Sequence, residues 1–210
     1  LTINAYTQNR RIFARSVRVA NSRPERSVNI GKDGILSVNS RPLFPLLIYH
    51  VFPEDFATVA AMGFNVIIPR SPGLKFMSLT GGDAAANADV RTCLEQAEQA
   101  KVFLMVGGNT VFNNLGAIPV FKGHPALLGW MAFDEPWGSL EKVQENYNIV
   151  KLLDPGTPVY CVQNNITRFD ETAEGADILA CDPYPISNVS LRYVADATKA
   201  AAKAVAGLKP

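Results

Sequence analysis

The sequence predicts an α/β fold built on a parallel sheet, from three features. From Pro42 onward, short apolar runs alternate with helical patterns. The runs carry Val, Ile and Leu on both parities, as strands do when helices cover a parallel sheet on both faces. Six such strand-plus-helix units fill residues 43–210 at about 28 residues each, the spacing of a (β/α) repeat.

The elements follow in order. Over the first forty residues Leu1, Ile3 and Ala5 alternate with polar partners, and Phe13, Val17 and Val19 share one parity, which predicts antiparallel strands. Ser22-Arg23-Pro24-Glu25 breaks that pattern and Lys32-Asp33-Gly34 is turn chemistry. A domain boundary is expected near Arg41-Pro42, with a strand segment over 1–41 and the α/β region over 42–210. In that region LFPLLIYH precedes a helix from Glu54 to Met62 that Gly63 ends. FNVIIPR precedes a loop and a helix from about Asp83 to Ala100, and VFLMVGG a looser segment. LLGWMAFDEP leads to a helix from Ser139 to Leu153, PVYCVQNN to a short helical turn, and DILACDPYPI to a helix from about Ser190 to Ala206. Ser139 and Ser190 stand where N-caps belong.

Six units are six of the eight in a TIM (β/α)8-type barrel, and two more would bring the total near the ~250 residues typical of one. An open six-stranded sheet is the alternative, but no Gly-x-Gly-x-x-Gly follows the first strand, so the usual reason to expect a dinucleotide fold is missing. The chain opens without Met and ends where a seventh strand is expected, so both ends read as cut.

Composition excludes several classes. At 48% hydrophobic and 19% charged the chain is ordinary globular material rather than disordered or coiled coil. A net charge of +1 supplies no field for nucleic acid. The six arginines from Arg10 to Arg26 interleave with apolar residues at strand spacing, which reads as the solvated face of a small sheet. The longest apolar run, Leu43–Phe52, is about half of a membrane span and contains Pro45. Cys93, Cys161 and Cys181 form no CxxC pair, and His50 and His124 are far apart, so neither a disulfide framework, a metal site nor a cofactor is expected. Cys161 and Cys181 are read as small core residues and His124 as structural.

In parallel β/α architectures the carboxyl ends of strands line the site. Here those ends are Tyr49 and His50; Arg70; Gly107, Gly108 and Asn109; Asp134 and Glu135; Gln163 and Asn164; and Asp182 and Tyr184. Polar groups converging from six strands suit a polyhydroxylated ligand, because each buried hydroxyl needs a hydrogen-bond partner. Glu135 is the foremost candidate. It ends the fourth strand before Pro136, and Gly129, Met131, Phe133 and Glu135 share a parity that could face the interior. Apolar neighbours with Trp130 or Trp137 nearby favour the protonated carboxyl that a general acid requires. Equally, Glu135 could pair with Arg70 or cap the next helix. His50 could bind a sugar hydroxyl or hold a loop carbonyl, and Trp137 is the better placed of the two tryptophans to stack on a ligand.

The stretch GHPALLGWMAFDEP, with DGILSVNSRPLFPLLIYH and MGFNVI upstream and ADILACDPYPI downstream, resembles the catalytic barrels of clan A glycoside hydrolases over residues 33 to about 186. Such barrels often follow a β-sandwich domain, so the resemblance implies that the strand segment over residues 1–41 is the end of one. The resemblance implies retaining hydrolysis of O-glycosidic bonds in an oligo- or polysaccharide, with Glu135 as acid/base. The clan's usual Asn-Glu-Pro is Asp134-Glu135-Pro136 here, which replaces an amide donor with a carboxylate that only accepts. The clan's nucleophile ends strand seven, beyond this chain. Arg70 and Tyr184 match groups that the clan places near that nucleophile. Asp182 is a weaker candidate for an inverting base, or it shapes the Asp-Pro-Tyr-Pro turn. A secreted or cell-envelope location is implied by the same resemblance, and a noncatalytic carbohydrate-binding barrel is the alternative function.

Overall fold

A computed structural model describes residues 2–7, 10–16, 26–70, 84–107, 117–138, 140–186 and 189–206. Strands β1 (Thr2–Thr7) and β2 (Arg10–Ser16) form an antiparallel pair. Strands β3 (Val28–Ile30), β4 (Leu36–Val38) and β5 (Arg41–Pro42) form a second small antiparallel sheet. Gly34, at φ +76°, makes the turn between β3 and β4 that Lys32-Asp33-Gly34 predicts.

The principal sheet has six parallel strands, β6 (Leu47–Val51), β7 (Val66–Pro69), β8 (Phe103–Gly107), β9 (Leu127–Asp134), β10 (Val159–Gln163) and β11 (Ile178–Cys181). They lie side by side in sequence order. The helices between and after them are α1 (Phe56–Ala61), α2 (Ala84–Ala100), α3 (Ala117–Phe121), α4 (Leu140–Leu153), α5 (Phe169–Glu174) and α6 (Arg192–Val205). The segment predicted as a helix from Glu54 begins as a 3-10 turn over Pro53–Asp55, and Gly63 at φ +98° follows its end. Before α6 the Ser190 hydroxyl accepts from the Arg192 amide at 3.3 Å, but the N-cap position expected of Ser190 is held by Leu191, one residue later. Ser139 lies outside the described residues.

Both faces of this sheet are buried, as the strand composition requires. On one face Ile67, Leu104, Leu127 and Trp130 pack with Val90 and Leu94 of α2 and Val150 of α4. On the other, Val66, Ile68, Met105, Met131, Tyr160 and Val162 pack together and against Val28, Leu36 and Val38 of the small sheet. Burying a side chain of this size stabilises the fold by about 1.5–3 kcal/mol.

The sheet is curled rather than flat. Strands β6 and β9 are three spacings apart, about 14 Å in a flat sheet. Yet the Tyr49 hydroxyl on β6 donates to Asp134 Oδ2 at the end of β9 at 2.6 Å. The six strands therefore form an open half-barrel, and among the described residues β6 and β11 each pair on one side only. Among the described residues no helix is long and apolar enough to cross a membrane.

One expectation on β9 is corrected. Gly129, Met131, Phe133 and Glu135 do not keep a single parity. The register against β10 shifts between Tyr160 and Cys161, which pair with Met131 and Phe133. This bulge sends both Ala132 and Phe133 towards the helix side, where they pack with the outer cluster, and Asp134 becomes the next inward residue.

Candidate active site

At the carboxyl end of the half-barrel lies a cavity of ≈ 480 Å³. Tyr49 and His50 reach it from β6, Asp134 and Glu135 from β9, Tyr160 and Val162 from β10, and Ala180, Cys181, Asp182 and Tyr184 from β11 and the segment after it. Residues of the first and last strands of the sheet thus share one space.

Two of its residues sit in backbone conformations that side chains rarely adopt. His50 has φ +58° and Glu135 has φ +47°. His50 is next to last in β6 and Glu135 directly follows β9; a left-handed residue that is not glycine costs on the order of 1–2 kcal/mol and persists only where surrounding contacts enforce it. At Glu135 the amide still donates to the Val162 carbonyl at 3.0 Å, so the ladder to β10 holds while the side chain is turned to the cavity. Glu135 Oε1 is buried and accepts no hydrogen bond. None of the ion pairs found among the described residues includes Glu135. The pairing with Arg70 that the sequence left open is not formed; the Arg70 guanidinium lies over the Phe52 ring, 5.4 Å from its centre.

The other two carboxylates are held by phenols. Asp134 accepts from Tyr49, and Asp182 Oδ2 accepts from the Tyr184 hydroxyl at 2.7 Å. Burial, then the bond to Asp134, drives the Tyr49 phenol well above its usual range. Tyr184 is raised chiefly by its hydrogen bond to Asp182 and secondarily by one to Glu135. Tyr160 is raised by burial, with Asp134 and Asp182 adding to it. All three phenols therefore stay protonated near neutral pH and remain donors. His50 is lowered by burial and by the Arg70 charge, against the pull of Asp134, which favours the neutral ring.

The remaining predicted residues divide. Asn164 and Trp137 line a neighbouring pocket of ≈ 310 Å³ together with Tyr184. Gln163 is buried away from the cavity, its amide donating to Thr172 Oγ1 at 3.2 Å and accepting from the Asn165 amide at 2.9 Å. Arg70 is outside the lining. Trp130 is fully buried on the helix side, where its indole donates to Asp154 Oδ2 at 2.8 Å, so it is neither a stacking platform nor a neighbour of the Glu135 carboxyl. Gly108 and Asn109 lie outside the described residues. Among the described residues no set of three or more His, Cys, Asp or Glu is arranged to hold a metal ion.

Four lining residues, Tyr160, Val162, Ala180 and Cys181, escaped the sequence reading. Tyr160 lies within β10 rather than at its end, and its shared parity with the inward Val162 was the available signal. Cys181, expected in the core, is half-buried and borders the cavity.

Comparison by sequence finds no matching protein family and no matching curated protein. Comparison by structure does find matches. The β-D-glucuronidase of Dictyoglomus thermophilum covers 100% of this chain and 41% of its own at 14% identity and a TM-score of 0.58. A GH2 β-galacturonidase from Eisenbergiella tayi, bound to galacturonate, covers 83% and 35% at 13% identity and a TM-score of 0.59. The endo-1,4-β-mannanase of Eisenia fetida covers 67% and 62% at 13% identity and a TM-score of 0.51. The chain thus spans less than two thirds of the length of each of these, and what it shares with them is the fold of glycoside hydrolases.

Proposed function

We propose that this chain is the larger part of a glycoside hydrolase barrel that cleaves O-glycosidic bonds in an oligo- or polysaccharide with retention, Glu135 being the general acid/base. The observation that carries the reading is Glu135 itself: a carboxyl at the end of β9, held at positive φ, lining a polar cavity, with a buried oxygen that no protein group occupies. A group so placed is available to a ligand. The likeness in fold to the glucuronidase, galacturonidase and mannanase supports the same class of reaction.

In the first step Glu135 donates its proton to the glycosidic oxygen as the bond to the anomeric carbon breaks and a second carboxylate forms a glycosyl ester. In the second, the Glu135 carboxylate takes a proton from water, the resulting hydroxide attacks the anomeric carbon, and the ester is released. The second carboxylate would come from a seventh strand beyond residue 210, about 5–5.5 Å from Glu135 as retention requires. Tyr49, His50, Asp134, Tyr160, Asp182 and Tyr184 would bind the sugar hydroxyls, with Arg70 and Asn109 at the rim. No cofactor enters the reaction.

The test is to express the coding frame with its downstream residues and compare Glu135→Gln with the parent on aryl glycosides. Poor leaving groups need the acid, so turnover should fall by about 10²–10⁴ on them and far less on dinitrophenyl glycosides. Equal losses on both would reject the acid assignment. Sugar binding without turnover would favour the alternative of a noncatalytic carbohydrate-binding barrel. That reading has one observation behind it: Asp134 and Asp182 are already engaged as acceptors from tyrosines.

A further inference from the structure

The geometry points to Arg168 as a positioning residue that holds Glu135 in place for proton transfer; the inference rests on the reading of Glu135 as the acid/base. It starts from a backbone that needs an external hold. Glu135 has φ +47°, and it precedes Pro136, a neighbour that pushes the residue before it towards extended backbone. Such a conformation persists only where the surroundings over-determine it. Proton transfer in turn needs the carboxyl within hydrogen-bond reach of the departing oxygen, and an error of about 1 Å there costs about 10²-fold in rate.

Two holds can be traced, and both come from β10 and the connection after it. On the strand side, the Glu135 amide donates to the Val162 carbonyl at 3.0 Å. On the far side, Arg168, which ends the 3-10 turn Ile166–Arg168, donates from Nη1 to the Pro136 carbonyl at 2.9 Å and from Nη2 to the Gly138 carbonyl at 2.7 Å. The first of these bonds falls on the residue next to Glu135 and the second two residues further on, so the chain leaving Glu135 is fixed at two points. Arginine suits the task, because its planar fork presents two donors at a fixed spacing, where a lysine ammonium is a single point.

Arg168 is itself anchored. Its amide donates to the Asn165 carbonyl at 3.0 Å, and its carbonyl accepts from the Thr172 hydroxyl at 2.9 Å. Thr172 is fully buried and also accepts from the Gln163 amide at 3.2 Å. Gln163 directly follows Val162, so β10 grips the segment around Glu135 from both sides. This gives the buried polar end of β10 a task that involves no ligand. Arg168 lies outside the lining of the cavity and therefore acts on Glu135 through the backbone. Its carboxylate neighbour is Glu171, with Nε 4.0 Å from Oε2, so the hold on Glu135 is not an ion pair.

The test compares kcat/KM, which reports the first bond cleavage, on phenyl and dinitrophenyl glycosides of one sugar in the chain extended by its downstream residues. Arg168→Ala should lower it by about 10²-fold on the phenyl glycoside, whose departure needs the acid, and by less than about threefold on the dinitrophenyl glycoside. Adding Arg168→Ala to Glu135→Gln should cost nothing further on the phenyl glycoside, because the two changes remove one function. Arg168→Lys keeps the charge and reaches one carbonyl, so it should show the same selective loss at smaller size, and it decides the question if the alanine variant does not fold. A second readout needs no substrate. Arg168→Ala should lower the urea midpoint less in the parent, where it lets Glu135 relax, than in Glu135→Gly, which has no strain to release. Equal losses on the two glycosides, or losses that multiply in the double variant, overturn the positioning role and leave Glu135 as the acid. Equal losses for Glu135→Gln itself overturn the acid reading and this inference with it.

Discussion

Glu135 shows how a single residue can be placed against its own conformational preference. A left-handed φ of +47° on a glutamate is unfavourable, and glycine would relieve it. Removing the side chain should therefore not destabilise the fold. Glu135→Gly is expected to unfold in denaturant at a free energy equal to that of the parent or up to ~1 kcal/mol higher. A loss of more than about 1 kcal/mol would mean that the carboxyl holds structure together rather than serving a ligand. The same tension recurs at His50, at φ +58° across the cavity. Neither conformation was legible in the sequence, because nothing in the residue types Tyr49-His50 or Asp134-Glu135 announces a positive φ. What was legible is that polar residues end the strands, since a strand buried on both faces has few reasons to carry Asp-Glu or Tyr-His except at its mouth.

At the scale of elements, the strands were legible because Val, Ile and Leu on both parities leave little else for those segments to be. The bulge in β9 was not. It depends on where Tyr160 and Cys161 pair, a relation between two strands that one strand's pattern does not contain. Close approach between elements is similarly hidden: at Gly107, φ +142°, a Cβ would run into the Met131 carbonyl oxygen, so β8 can meet β9 there only through glycine. The link between α3 and β9 carries a pH-sensitive contact. His124 Nδ1 accepts from the Ala126 amide at 3.2 Å, which requires that nitrogen to be unprotonated. Burial lowers the ring's pKa, although Glu98, 3.9 Å from Nε2, pulls the other way. His50 is lowered as well. A histidine whose folded pKa lies below its unfolded value near 6.5 contributes stability that is complete above that value and is lost as pH falls through the folded pKa. NMR titration should place both ring pKa values below 6.5, with Glu98→Gln moving His124 lower still. Either ring titrating above 6.5 would contradict this arrangement.

For the whole molecule, the arithmetic of six units anticipated the six parallel strands in sequence order, and the curl that brings Tyr49 to Asp134 makes them a half-barrel. The reading of residues 1–41 as the end of a β-sandwich domain stays a proposal. What the structure adds is that Val28, Leu36 and Val38 of the small sheet pack into the barrel's inner cluster. Site residues chosen as strand ends sorted into three groups: the cavity, the neighbouring pocket, and, with Gln163 and Arg70, neither. Sequence position gives which end of the barrel a residue occupies, but the direction of a side chain there depends on local register.

If Glu135 is the proton donor of a double displacement, chemical rescue will reveal it. In the extended chain, Glu135→Ala should hydrolyse a dinitrophenyl glycoside slowly, because the ester forms but no base activates water. Added azide, which needs no base, should accelerate turnover and yield a glycosyl azide with the anomeric configuration of the substrate. Unchanged rates with azide, together with parental activity of the alanine variant on unactivated oligosaccharides, would show that Glu135 is not the acid/base.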